Sequence, residues 1–484
     1  MEWDRRRNFV ITMSARHALR IHPCVVGAVL LLVAAWCSVG YHGEDEHHQT
    51  IGLALARQGV LPVEEIVWEY EARIRSSTLP WIVIGVEHIT QLIGVHDPFL
   101  NTTILRLLTA VLACVVTVSF LRATDHLVPA DLRRAYRWIT WCLWFLPFIH
   151  VRFASETWSG LMLLLGASWL IRSDPQRAHF VWAGMCLAIA AWVRPPVALA
   201  TMGLLAWTWQ VQRTRWRSLA PLIIAFALTT ALAVLADSLF YGLPTMSSIR
   251  FVRMGLLGDP DHAFGELAWW YYFPWLVKYT LPPIGLFTLV AFLVVLWRDR
   301  SHPALWVIIP FLFLHMAVPH KEPRFLWPLA AWVPLLWIAA WPWMVGSVTG
   351  SKWPERIAIG AYVLVTIPAL AVAVLTPAGN GRIAIASALD HAGHGRDPIG
   401  YLTHEEPWRI TIPRYYRPDA PAPITSTAPD DLAHVPWWIL HPGSDPLPNG
   451  LLRMKSGLPE WSIPLMDIYH WGKWSGPVVL YERR

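Results

Sequence analysis

Apolar residues along this chain gather in long runs separated by short polar linkers. Eleven such runs lie at 22–41, 101–121, 135–150, 157–171, 178–193, 195–211, 219–240, 273–297, 303–319, 324–346 and 357–376. Each approaches or matches the ~20 residues a helix needs to cross a bilayer, and the pattern predicts an all-α polytopic membrane protein. A further apolar stretch, 79–95 (LPWIVIGVEHITQLIGV), is short and carries Glu87 and His88 in its middle. Ionisable groups at membrane depth are costly, so it reads as a juxtamembrane helix on the outer face, packed against protein. Beyond residue 376 the hydropathy falls and Pro, Trp and polar residues increase. The chain is thus expected to divide into a membrane domain, 1–376, whose first outer loop is 42–100, and a small soluble domain of mixed α/β character, 377–484.

The linkers orient this arrangement. Arg5–Arg7, Arg16 and Arg20 precede the first run, and Arg122, Arg133, Arg134 and Arg137 follow the second. Arg172, Arg177, Arg213, Arg215, Arg217, Arg298, Arg300, Lys352 and Arg356 follow alternate later runs. All fall on one side, which the positive-inside bias makes cytoplasmic. A crossing by 79–95 would invert every later linker. The basic N-terminus leads into an apolar run without a small-residue cleavage site, so it reads as an uncleaved first helix. This layout suits a bacterial inner membrane, with the C-terminal domain extracytoplasmic.

Composition agrees. Of 484 residues, 55% are hydrophobic and only 15% charged, against ~25% charged in soluble domains. Many of the 31 tryptophans flank apolar runs, where indole favours the headgroup zone. The net charge of +6 comes largely from arginines beside apolar runs, so it reports orientation and not a nucleic-acid partner. Cys24, Cys37, Cys114, Cys142 and Cys186 all lie in apolar segments, which excludes a disulfide framework or a zinc spacing.

Polar chemistry converges on the outer face from distant parts of the chain. Asp45 and Glu46 lie in HGEDEHHQ (42–49), Arg152 and Glu156 in HVRFASETW (150–158), and Asp237 in DSLFYG (237–242). His320, Lys321, Glu322 and Arg324 lie in PHKEPRF (319–325). Each has a plainer reading: a solvated acidic loop, an i,i+4 ion pair between Arg152 and Glu156, an interfacial cap at Asp237, a snorkelling basic helix end. Basic residues on this face run against the charge bias, however, and call for an anionic partner. A carboxylate can act as general base towards a hydroxyl, and Lys and Arg can hold a phosphate. Together they suit transfer of a glycosyl group from a lipid phosphate through an oxocarbenium-like state, with inversion at the anomeric carbon. His, Asp and Glu at 42–48 are possible metal ligands by type, but show no clear ligand geometry, so no metal is assigned.

These stretches resemble motifs of the α-mannosyltransferases that build N-glycan and GPI-anchor precursors. DEHHQ (45–49) resembles their His-x-Asp-Glu-x-Phe-Gln stretch, and WEY (68–70) with IRS (74–76) their Trp-Glu-Trp and Ile-Arg-Ser. DSLFYG is similar to Asp-x-x-x-Tyr-Gly and HKEPRF (320–325) to His-Lys-Glu-x-Arg-Phe, in the same order along 40–330. The resemblance implies a GT-C type bundle with a polyprenyl-phosphate sugar donor, a glycan, lipid or glycolipid acceptor, and no cofactor. It implies Asp45 as base with Glu46 second, and His320, Lys321 and Arg324 on the donor phosphate. Gln49, Glu69, Arg75, Arg152, Glu156, Asp237 and Tyr241 would support the site. The chain departs from the motifs at His48, which replaces Phe, at Gly43, which replaces the motif His, and at Pro323. A His-Pro-Trp element of the family is missing, with AWWYYFPW (268–275) in that region. These departures leave open another sugar, such as arabinose. A non-enzymatic carrier of lipid-linked saccharide would instead need midplane charges and half-repeats, which the chain does not display.

Overall fold

The computed structural model describes residues 22–257, 265–344, 353–404, 406, 409–440, 450–469 and 476–483. The N-terminal arginines and Lys352 lie outside these residues. Helices occupy every one of the eleven apolar runs. Length is another matter. Among the described residues, three helical segments are long and apolar enough to cross a membrane, Pro98–Leu127, Trp216–Tyr241 and Pro323–Met344. A fourth is gained if Pro282–Arg298 and Pro303–Ala317, which meet at 116°, count as one bent span. Other runs form shorter helices, such as Pro23–Cys37 of 15 residues, about 22 Å long at 1.5 Å per residue.

Proline explains several departures from uninterrupted helices. The run at 135–150 divides into Arg133–Cys142 and Phe145–Ile149. Pro147 has no N–H for the Leu143 carbonyl, four residues back, and Leu143 turns extended with ψ 116°. The run at 273–297 divides at Leu281, whose φ of +75° precedes Pro282 and Pro283. Pro323 and Pro328 fall in a ten-residue 3₁₀ segment, Pro323–Trp332, before an α-helix takes over at Val333–Met344. Such long 3₁₀ runs are uncommon, and this one carries the end of HKEPRF.

A continuous apolar core joins these helices, with Phe120, Leu163, Leu187, Leu204, Phe311, Trp332 and Leu336 among its fully buried members. Residues 79–95 are helical over Thr78–Leu92. This helix buries Leu79, Val83 and Val86 against the first loop and leaves Ile89 and Leu92 exposed. Its Glu87 accepts a hydrogen bond from Gln58 at 2.8 Å, so the acid faces protein.

Residues 399–483 supply a five-stranded mixed sheet of order β2-β1-β3-β5-β4. The strands are β1 Ile399–Leu402, β2 Ile424–Ser426, β3 Trp437–Leu440, β4 Leu451–Ser456 and β5 Val479–Arg483. β1 runs parallel to β2 and β3, while β5 runs antiparallel to β3 and β4. Alternation along β1 and β3 sends Ile399, Tyr401, Trp437 and Ile439 to one face and Leu402, Trp438 and Leu440 to the other. The helix Arg382–His391 covers the first face through Ile383, Ile385, Ala386 and Leu389. Tyr41 and Phe99 belong to that same core, so the sheet domain is built onto the first loop of the helical part.

Close backbone approach fixes the helix that leads out of 150–158 against the 3₁₀ segment. A Cβ added at Gly160 would lie 2.7 Å from the Cα of Pro328. Gly160→Val is expected to force the two apart and destabilise the protein by about 1–3 kcal/mol. Thermal unfolding of the detergent-solubilised protein checks this.

Candidate active site

Three consecutive carboxylates open the first loop. Glu44, Asp45 and Glu46 form the first turn of the short helix Glu44–His47, which passes into a π-helical turn, His48–Gly52, and then the helix Leu53–Gln58. Acids are favoured in a first turn by the helix dipole, and π turns often mark functional sites. Each acid meets an arginine from a different segment. Glu44 pairs with Arg382 of the sheet domain, Asp45 with Arg324, and Glu46 with Arg152 at 3.8 Å.

Arg152 is fully buried and precedes the helix Ser155–Leu170, so it has no i,i+4 geometry with Glu156. It donates instead to the carbonyls of Gly40 at 3.2 Å and Ser38 at 2.9 Å, and to the Ser38 hydroxyl at 2.5 Å. Glu46 also accepts the His42 N–H at 2.8 Å. Burial raises the Glu46 carboxyl above its ordinary range, with Arg152 and that N–H working against the rise. Desolvation by the surrounding protein, then the charges of Arg152 and Arg324, lower the His42 imidazole below its ordinary range, although the residue keeps contact with the surface.

Arg324 is the hub. Besides Asp45, it donates from Nε to Glu322 Oε2 at 2.5 Å and from Nη2 to Glu322 Oε1 at 3.1 Å, and lies 3.9 Å from Glu156. Glu156 in turn accepts from Arg194 at 2.9 Å. His320 Nε2 lies 3.1 Å from Glu322 Oε1. Burial opposes the ionised form of Glu322, but His320 and Arg324 outweigh it and hold the carboxyl at about 2. Lys321 is buried and donates to the carbonyls of Met316, at 3.2 Å, and Val318, with its ammonium 5.9 Å from the ring centre of Tyr272. It therefore sits on the C-terminal carbonyls of the helix Pro303–Ala317. The Asp45 side chain remains 38% exposed, against 32% for Glu322, 11% for Arg324 and 4% for Glu156, so Asp45 is the most open of the acids around Arg324.

The remaining predicted residues brace the loop from behind. Glu69 accepts from Gln49 and from Arg75, both at 3.0 Å, and the Tyr241 hydroxyl donates to the Arg75 carbonyl at 2.7 Å. Asp237 is buried and accepts from Ser77 N–H at 2.8 Å, Ser77 Oγ at 2.7 Å, Trp192 Nε1 at 2.9 Å and Ser247 Oγ. Its oxygens are thus committed to tying the 76–77 turn to two helices. Among the described residues, no three His, Cys, Asp or Glu side chains converge as metal ligands; arginines stand opposite the carboxylates instead. Of the aromatic residues, Trp269 and Trp270 are exposed and Tyr272 is buried.

Sequence reasoning missed Arg194 and Arg382, and it placed Glu322 among the converging charges without giving it a role. Arg194 had a signal, since it stands in WVRPP (192–196) on the side that the charge bias disfavours. Arg382 had none, because it lies in a domain without recognisable motifs.

The helical bundle with its small C-terminal sheet domain resembles the fold of GT-C type enzymes. Residues 24–397 match the Alg9-like mannosyltransferase family, and the chain belongs to that family. Similar proteins include the GPI alpha-1,2-mannosyltransferase 3 of Bos taurus, 25% identical over 293 residues, 59% of this chain and 52% of that protein. The GPI mannosyltransferase 3 of Yarrowia lipolytica is 25% identical over 291 residues, 57% of this chain and 53% of its own. The chain thus spans about half the length of the curated relatives it matches. In fold it resembles ArnT from Cupriavidus metallidurans bound to undecaprenyl phosphate, with a TM-score of 0.50 and 11% identity over 95% of this chain and 97% of that one.

Removing Arg194 leaves Glu156 buried beside Arg324 alone. Arg194→Ala is expected to cost on the order of 3 kcal/mol, and Arg194→Ala with Glu156→Gln to recover much of it. Unfolding in mild detergent, read by tryptophan fluorescence, checks both.

Proposed function

We propose that this protein is an inverting glycosyltransferase that moves mannose from a polyprenyl-phosphate donor to an acceptor hydroxyl on a glycan, lipid or glycolipid. The site faces away from the cytoplasm, in a bundle of about eleven crossings, the shorter helices spanning together with their neighbours. The bacterial inner membrane is the setting the linker pattern suits. The observation that carries this reading is the pairing of half-exposed Asp45 with Arg324, a general-base candidate against a phosphate-binding candidate. Membership of the Alg9-like family supports mannose over a pentose.

The chemistry follows from charge. Before substrate arrives, Asp45 and Glu322 neutralise Arg324. A donor phosphate competes for the same guanidinium and frees Asp45. The acceptor hydroxyl then gives its proton to Asp45 as its oxygen bonds to the anomeric carbon. The bond from that carbon to the phosphate oxygen breaks, and its electron pair leaves with the polyprenyl phosphate. Arg324, with Lys321 and His320, holds the departing anion, and Glu46, held by Arg152, keeps the turn rigid. No cofactor enters this scheme, because the sugar is already activated by its phosphate.

The test uses purified protein, radiolabelled polyprenyl-phosphate sugars with mannose first, and extracted membrane lipids as acceptors. Mannose should move to a new product. Asp45→Asn should lower turnover by about 10²–10⁴ while donor binding persists, and Arg324→Ala or Lys321→Ala should weaken donor binding as well. Normal turnover by Asp45→Asn would remove Asp45 as the base. Saturable lipid-saccharide binding without transfer from any donor would make the protein a carrier.

A further inference from the structure

We infer that the C-terminal sheet domain is a working part of the active site, with Arg382 as a positioning residue for the turn that carries Asp45. This rests on the transferase reading above. Arg382 is the first residue of the helix Arg382–His391 and is only 3% exposed, though it belongs to a domain with ample solvent surface. Its guanidinium leaves that domain. It pairs with Glu44, the residue before Asp45, donates to the Tyr41 hydroxyl at 2.6 Å, and lies 5.0 Å from the centre of the Tyr41 ring.

A second contact from the same domain grips the same turn. His47 stacks on Tyr41 at 5.2 Å on one side and lies 5.6 Å from Tyr416 on the other, tilted by only 31°. Tyr416 also packs on Phe99, at 5.4 Å. The turn is therefore held at Glu44 by a charge and at His47 by aromatic rings, with Asp45 and Glu46 between the two grips. The backbones interlock as well: Ala378 N–H donates to the Val39 carbonyl at 2.9 Å, and a Cβ on Gly379 would lie 2.7 Å from the Tyr41 carbonyl oxygen.

The charge logic explains why the contact matters for turnover. Glu44 is one residue from Asp45, so the ion pair that fixes Glu44 also fixes the direction in which Asp45 leaves the turn towards Arg324. A domain serving only as a structural cap would have no use for a buried arginine reaching into the acidic turn.

The experiment compares Arg382→Ala, Arg382→Lys, Glu44→Gln and the double variant Arg382→Ala/Glu44→Gln. Arg396→Ala serves as control, since Arg396 forms an exposed pair with Asp419 in the same domain. Arg382→Ala should lower kcat at least about tenfold with the donor KM changed less than about twofold. Arg382→Lys should restore most of the loss, Glu44→Gln should resemble Arg382→Ala, and the double variant should be no worse than either single one. Hydrogen exchange over 44–52 should quicken in Arg382→Ala and not in Arg396→Ala. Unchanged kcat in folded Arg382→Ala, or additive losses in the double variant, overturns the inference. Should Arg382→Ala not fold, Glu44→Gln decides: normal kcat and normal exchange overturn it. If the unmodified protein transfers nothing from any donor, the transferase reading fails by itself. The exchange comparison then still judges whether Arg382 holds the turn.

Discussion

The site depends on one electrostatic constraint: three adjacent carboxylates taken into the protein and each answered by an arginine. Bringing a carboxylate out of water costs several kcal/mol after relaxation, and only a well-placed partner offsets it. The partners come from three separate places: Arg152 before a buried helix, Arg324 at the entry to a 3₁₀ segment, and Arg382 in the sheet domain. Folding the first loop therefore requires all three to have arrived. The acids define where four distant stretches of chain meet.

This constraint also shapes how a substrate can enter. Arg324 already has Asp45 and Glu322 against it, with Glu156 close by, and Glu156 is shared with Arg194. An incoming phosphate adds negative charge to a balanced cluster, so it can bind only by displacing one of these anions. Asp45 is the one most exposed to solvent, and its displacement costs least in desolvation. In the proposed mechanism, an anion-for-anion exchange turns donor binding into release of the base. Glu156 and Glu46, being buried and doubly held, have no such freedom and keep the arginines in place.

Much of this was legible in the sequence, and the reasons for the rest are physical. Apolar periodicity located the helices, because a bilayer-length run has few other uses. It could not foresee that Pro147, Leu281 and Pro323 would interrupt them, since a broken helix in a protein interior keeps the same hydropathy as a straight one. Asp45, Glu46 and Arg324 stood out as charges in apolar surroundings, and they do meet. Asp237 also stood out, yet its four donors make it a tie between elements and not an open group. Arg194 carried a weak signal and was passed over. The partner of Glu44 carried none, because a lone arginine at a helix start in a soluble domain has many ordinary explanations.

Two of the departures from the family motifs, His48 and Gly43, fall beside one carboxylate, Glu44. His48, where the motif has an aromatic residue, lies 3.7 Å from Glu44. Gly43, where the motif has His, stands beside the Arg324 guanidinium: a Cβ there would lie 3.7 Å from its Nη1, an ordinary contact. The displaced imidazole, His42, instead packs 5.3 Å from Phe148 and 5.6 Å from Trp327. Glu44 is thus the acid at which this chain differs from the general pattern, and Arg382 is what it reaches. A loop that reaches the sheet domain through Glu44 has its geometry tied to that domain. Two carboxylates serve the reaction in this reading, and the third serves to hold the sheet domain in register with them.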